Sequence, residues 1–167
     1  MAKKKEYLRL RSYRMVLYSL SDKQKGIQSD HANNEYQLRF GKSKEYLQWS
    51  NKDKTIIMLD GGTSNQVGFE YYSKEPYEGT LDIALKQLLA MKIPVRPFFE
   101  PDFNNTMTAI AFLVDERAWD KKKYPDPPGY MKLGVNMRTA YDSALLVKTY
   151  GKQIAFLREF LPKFKLA

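Results

Sequence analysis

The stretch KTIIMLDGG, residues 54–62, constrains the fold most: four consecutive apolar residues run into an acid and a Gly-Gly breaker. It is too short for a helix with a buried face and ends where a strand would turn. Unbroken rather than alternating apolarity predicts a strand buried on both faces, as in a partly parallel sheet. A partly parallel sheet needs crossover helices, and the sequence supplies them. TLDIALKQLLAMKIP (80–94) reads as a helix with Thr80 as cap, Leu81, Ala84, Leu85, Leu88 and Leu89 as apolar stripe and Pro94 as stop.

Around these two elements the remaining chain orders itself. YRMVLYSL (13–20) reads as a buried strand, and Ser21 or Asp22 caps a helix reaching Gly41, with Ile27, His31 and Leu38 near one face. A shorter helix is expected over 43–52. VRPFFEP (95–101) is a strand only if Pro97 lies at an edge, and MTAIAFLVDE (107–116) is a further buried strand. The expected architecture is α/β: a small mixed sheet of about four strands with helices on both faces. Residues 1–120 form this domain, 121–133 a Pro-rich exposed loop, and 134–167 a helical extension. Within that extension Ile154, Leu157, Phe160 and Leu161 make a stripe that packs back on the domain or serves a homodimer.

Absences narrow the chemistry. The chain has no cysteine and one histidine, so a thiolate nucleophile, a disulfide framework and a zinc site of the usual composition are excluded, and no metal or cofactor is expected. It has no Walker-type phosphate loop, dinucleotide fingerprint or nucleophile-elbow serine. No apolar run is long enough to span a membrane or to follow the basic start as a signal peptide, so the expectation is a soluble cytoplasmic chain without membrane contact. The net charge is +9 over 167 residues, with Lys3, Lys4, Lys5, Arg9, Arg11 and Arg14 near the start and Lys121, Lys122 and Lys123 later. Such clusters suit a polyanion such as RNA, or simply a solvated surface.

Two stretches hold the candidate chemistry. KGIQSDHA (25–32) places Lys25, Gln28 and His31 one helical turn apart. His31 either performs acid–base work near neutral pH or fixes its helix to the sheet through one hydrogen bond. FFEPDFNNT (98–106) delivers Glu100, Asp102, Asn104, Asn105 and Thr106 to the outlet of a strand, either as groups that hold a water and stabilise an oxyanion or as ordinary turn residues. DGGTSN (60–65) offers backbone N–H groups of Gly61 and Gly62 to an anion, or is a turn requiring positive φ.

Taken together, the strand–KGIQSDHA–helix and strand–DFNNT–strand arrangement resembles the peptidyl-tRNA hydrolases of the archaeal and eukaryotic type. Gln28, His31 and Ala32 match that family's Ala-Gln-x-x-His-Ala helix start, and Asp102 and Thr106 match the ends of its Asp-Ala-Gly-x-Thr loop. Lys25 stands three residues before Gln28 where the family's lysine stands four before, and Phe103 and Asn104 occupy its small positions. The segments QKGIQSDHANNEY, EPDFNNTMTAIAFLVDER and FLREFLPKFKLA are similar to a branch of small bacteriophage proteins within that superfamily. The resemblance implies hydrolysis of the ester between a peptide and the ribose of tRNA. Asp102 or His31 would activate a water, Lys25, Asn105 or Thr106 would stabilise the oxyanion, and Gln28, Asn104, Gly61 and Gly62 would line the substrate. Lys121, Lys122 and Lys123 would hold the tRNA backbone. A non-catalytic RNA-binding protein or a phage accessory protein that binds a host protein are the alternatives.

Overall fold

A computed structural model describes residues 7–65, 78–130 and 140–167. Lys3, Lys4 and Lys5 of the basic start, and residues 134–139 of the expected helical extension, lie outside the described residues.

Four strands form one sheet: β1 (Leu10–Leu17), β2 (Thr55–Gly62), β3 (Val95–Glu100) and β4 (Thr106–Asp115). Their order is β2-β1-β4-β3, with β1 parallel to β2 and antiparallel to β4, and β3 antiparallel to β4. The mixed α/β sheet expected from the sequence is therefore the observed fold. Helix α1 (Asp22–Phe40) and the short α2 (Lys44–Gln48), extended by a π-helical turn to Asp53, cover one face. Helices α3 (Thr80–Ala90) and α6 (Lys152–Phe160) pack on the other; α4 (Glu116–Trp119) follows β4, and α5 (Ala140–Tyr150) lies against α6.

The central strands are β1 and β4, almost every residue of which is buried. That corrects the expectation for residues 54–62. The sheet is partly parallel as anticipated, through the pairing of β2 with β1, but β2 lies at a sheet edge, and Ile56 is 48% exposed. An apolar run reports that burial is available and does not distinguish one covered face from two. The outer edge of β2 is met by the last residues of the chain: Asp60 N–H donates to Lys165 O at 2.9 Å and Ala167 N–H to Met58 O at 3.1 Å. Pro97 sits in the opposite edge strand, where a missing N–H disturbs no inner ladder.

Other boundaries shift for local reasons. The first strand occupies 10–17 rather than 13–20, because Leu10 pairs with Asp115 and the chain turns after Leu17. Helix α3 is capped by Gly79, not Thr80, and ends at Ala90. Its close is made by Lys92 in the left-handed region and Ile93 N–H donating to Leu88 O at 3.0 Å, so Pro94 acts only after the helix has stopped. On α1 the branched aliphatic positions are the outer ones: Ile27 and Leu38 are exposed while Gln28, Ser29, Ala32 and Tyr36 are buried. The facing strand residues Ala109 and Ala111 are small, so the helix approaches closely through Ala32 and polar side chains.

The C-terminal stripe is part of the main core. Ile154, Leu157, Phe160 and Leu161 are buried with Met15, Leu88, Ile110 and Phe112, and the Phe112 and Phe160 rings meet edge-on at 6.5 Å. The Pro-rich stretch is fastened to α6 by Arg158, which is buried and donates to Arg117 O, Tyr124 O and Asp126.

Candidate functional site

Helix α1 starts where β1 ends, because Ser21 closes a capping box: its hydroxyl accepts from Gln24 N–H and its own N–H donates to the Gln24 side chain. From there the helix descends along edge strand β3 in three rungs. Gln28 Nε2 donates to Glu100 Oε2, the His31 ring stacks on Phe98 at 4.7 Å, and Glu35 pairs with Arg96 at 3.8 Å. Each rung advances one turn of helix, about 5 Å, against two residues of strand, about 7 Å, so the rungs stay nearly in step.

The first rung depends on a bulge. Phe98 pairs with Ala109 and Phe99 with Met107, so Thr108 is the extra residue of β4. Such a bulge re-aims a side chain. Here it turns the buried Thr108 hydroxyl onto Gln28 Oε1, to which it donates at 2.7 Å. With its carbonyl end held, the Gln28 amide presents its NH2 to Glu100. Glu100 in turn caps the 3-10 turn Pro101–Phe103, its Oε1 accepting from Asp102 N–H at 3.5 Å. The hairpin closes through Asn104 and Asn105, both at φ 52°, a conformation asparagine tolerates better than most side chains. A continuous polar line thus runs Thr108, Gln28, Glu100, Asp102.

Among the residues anticipated from the sequence, Gln28 meets the hairpin through Glu100, and Lys25 lies half-buried one turn earlier on α1. Asp102, Asn104 and Asn105 are exposed in the hairpin, while Thr106 is buried and pairs with Glu100. The His31 ring is exposed, and among the described residues it makes no hydrogen bond; stacking on Phe98 is what holds it.

Gly61 and Gly62 lie at the same end of the sheet, and Tyr18 N–H donates to Gly62 O. Their loop is turned inward. Gly62 N–H is taken by Asp60 at 2.8 Å, Thr63 N–H by the Thr80 hydroxyl at 2.9 Å and Asn65 N–H by Asp82 at 2.8 Å. With two carboxylates bound to these N–H groups, the loop braces the start of α3 and does not present these donors to an anion. Gly62, at φ +74°, meets the turn reading.

The lysine cluster is elsewhere. Strand β4 runs ten residues from the hairpin to Asp115, so Lys121, Lys122 and Lys123 follow α4 about 30 Å away at the opposite end of the sheet. Lys123 pairs at 2.8 Å with Glu116, a carboxylate buried completely, and Lys121 with Asp126 at 3.4 Å; Lys122 is exposed. The arginines of the expected basic arm are engaged as well. Arg9 binds Glu116 and Asp120, Arg11 lies over the Trp119 ring at 3.4 Å, and Arg14 is 5% exposed inside the α1–sheet layer. Arg14 touches the Ser12 and Ser29 hydroxyls, and burial lowers its pKa.

Glu100 stands among the strand-outlet groups legible in the sequence, but its contact with Gln28 is not legible there, and Thr108 carries no sequence signal: only the one-residue bulge, invisible in a run of small and apolar residues, reveals it. Among the described residues no group of three or more histidines or carboxylates could hold a metal, and no helix is long and apolar enough to cross a membrane. No family model matches the chain, and no curated protein matches it.

Proposed function

We propose that the chain hydrolyses the ester linking a peptidyl or aminoacyl group to tRNA. One observation carries the reading. The Gln28–Glu100 hydrogen bond joins the α1 segment and the β3–β4 hairpin, the two stretches whose residues resemble peptidyl-tRNA hydrolases. In this reading a water held at the hairpin carboxylates attacks the acyl carbon. The Lys25 ammonium and the Asn105 amide, with the Thr106 hydroxyl behind them, face the negative charge that develops on the carbonyl oxygen. One such preorganised donor contributes about 3 kcal/mol to lowering the barrier. Gln28 and Asn104 border the substrate, and His31, stacked on Phe98, holds the helix in register and leaves proton transfer to the carboxylates. The reaction belongs to the cytoplasm, where tRNA is.

The second reading, an RNA-binding protein without turnover, is favoured by the position of that same imidazole, which forms no acid–base pair with the hairpin. The two separate in an assay of N-acetyl-aminoacyl-tRNA hydrolysis run beside His31→Ala and Asp102→Ala. The hydrolase reading expects turnover in the parent, a partial fall in His31→Ala and a larger one in Asp102→Ala, with tRNA affinity kept within about threefold. Salt-sensitive tRNA binding by a parent that releases no acyl group selects the second reading.

A further inference from the structure

We propose that Glu100, and not Asp102, is the base that takes the proton of the attacking water, with Gln28 and Thr108 as the residues that position it; this rests on the acyl-tRNA reading above. Glu100 ends β3, so its backbone is held by the pairing with Thr106, whereas Asp102 stands exposed in the turn and its carboxylate has no hydrogen bond or ion pair among the described residues. A carboxylate offers about four acceptor positions. Glu100 uses one toward Gln28 Nε2 and one toward Asp102 N–H, leaving acceptor capacity for a water on a side chain that is fixed yet still reached by solvent. The Thr108 bulge interrupts the β3–β4 ladder, and the hydroxyl it re-aims ends on Gln28. Its effect is to fix which end of the amide meets Glu100.

The step balances without a further reactant. The water oxygen bonds to the acyl carbon and one water proton passes to Glu100. Collapse of the tetrahedral intermediate breaks the bond to the ribose oxygen, and that oxygen leaves with the proton from Glu100. The products are the free acid, which releases its remaining proton to solvent, and tRNA with a restored hydroxyl.

Among the described residues, the titratable side chains flanking this contact in the chain are Asp102 of Glu100's own turn and, on α1, Lys25 and His31, three residues either side of Gln28. β4 contributes the Thr106 and Thr108 hydroxyls. The test is therefore a pH–kcat profile on N-acetyl-aminoacyl-tRNA for the parent, Glu100→Gln, Glu100→Asp, Asp102→Asn, Thr108→Val and Thr108→Ser, with thermal melting of each chain as the check on folding. The expected result is a loss of at least about 100-fold in kcat for Glu100→Gln with little change in KM, and loss of the acid-side fall that a titrating base imposes. Glu100→Asp and Asp102→Asn turn over more slowly but keep that fall. Thr108→Val lowers kcat by roughly tenfold or more and Thr108→Ser restores it, as a positioning role requires. If Asp102→Asn removes the acid-side fall and Glu100→Gln keeps it, the assignment is overturned while the hydrolase reading stands. A parent without turnover overturns both.

Discussion

Thr108 and Gln28, 80 residues apart in the chain, meet through a hydrogen bond of 2.7 Å between two buried side chains. It is the point at which a helix, a strand bulge and a hairpin become one polar unit. In Thr108→Val the shape survives, but Gln28 Oε1 is left without its donor in a buried setting. A buried acceptor stripped of its partner costs about 1–3 kcal/mol. Urea unfolding is expected to show a loss of that size for Thr108→Val and less than half of it for Thr108→Ser.

Two glycines, Gly26 within α1 and Gly79 at the start of α3, predict opposite signs. Gly26 lies inside α1 with open space where a Cβ would go, so Gly26→Ala is expected to stabilise the chain by about 0.5–1 kcal/mol. At Gly79 a Cβ would stand 2.4 Å from the Ser64 Cα, against backbone that closes the start of α3. Gly79→Ala is therefore expected to destabilise by about 1–3 kcal/mol. Paired denaturant melts of the two variants check both signs at once.

The opposite end of the sheet governs acid stability. Burial raises the Glu116 pKa, but hydrogen bonds from Lys123 and Arg9 outweigh it, and the net shift is downward. Asp126 behaves alike, its burial outweighed by Arg158 and Lys121, and Asp53 likewise through Gln48, Tyr7 and Leu10 N–H. A carboxyl whose folded pKa lies below its unfolded value binds fewer protons when folded. Its stabilisation is complete above about pH 5 and is lost as pH falls through about 4 toward the folded-state values. Melting temperature against pH is expected to drop on that acid side, and Glu116→Gln is expected to flatten the drop.

The lysine cluster gives a further contrast. Lys123→Ala leaves the buried Glu116 with one cation fewer and is expected to lower the denaturant midpoint. Lys122→Ala, at an exposed position, is expected to stay within about 0.5 kcal/mol. Equal losses in a denaturant series would contradict the structural role given to Lys123.

How legible these features were follows from what each leaves in the sequence. Ser21 with Gln24, the Ile154–Phe160 stripe and the edge proline Pro97 write their roles locally, and each structural element stands where its signal lies. The buried face of α1 was not legible, since its partners Ala109 and Ala111 are small and the helix turns Gln28 and Ser29 inward while Ile27 and Leu38 stay out. A charge run says nothing about pairing across the chain, so Arg9, Arg14 and Lys123 read as surface although Glu116 and the α1–sheet layer claim them. Within the candidate site the two motif stretches were visible, but their junction was not, because a bulge is a difference of one residue between strands and has no signature of its own.

The account stands most directly on acyl release. The measurement is the rate at which the purified chain frees N-acetyl-amino acid from tRNA, compared with the spontaneous rate and with a Glu100→Gln/Asp102→Asn double variant that melts like the parent. The account predicts release by the parent well above the spontaneous rate and its disappearance in the double variant. Parent and spontaneous rates that coincide, or a double variant as fast as the parent, would contradict it.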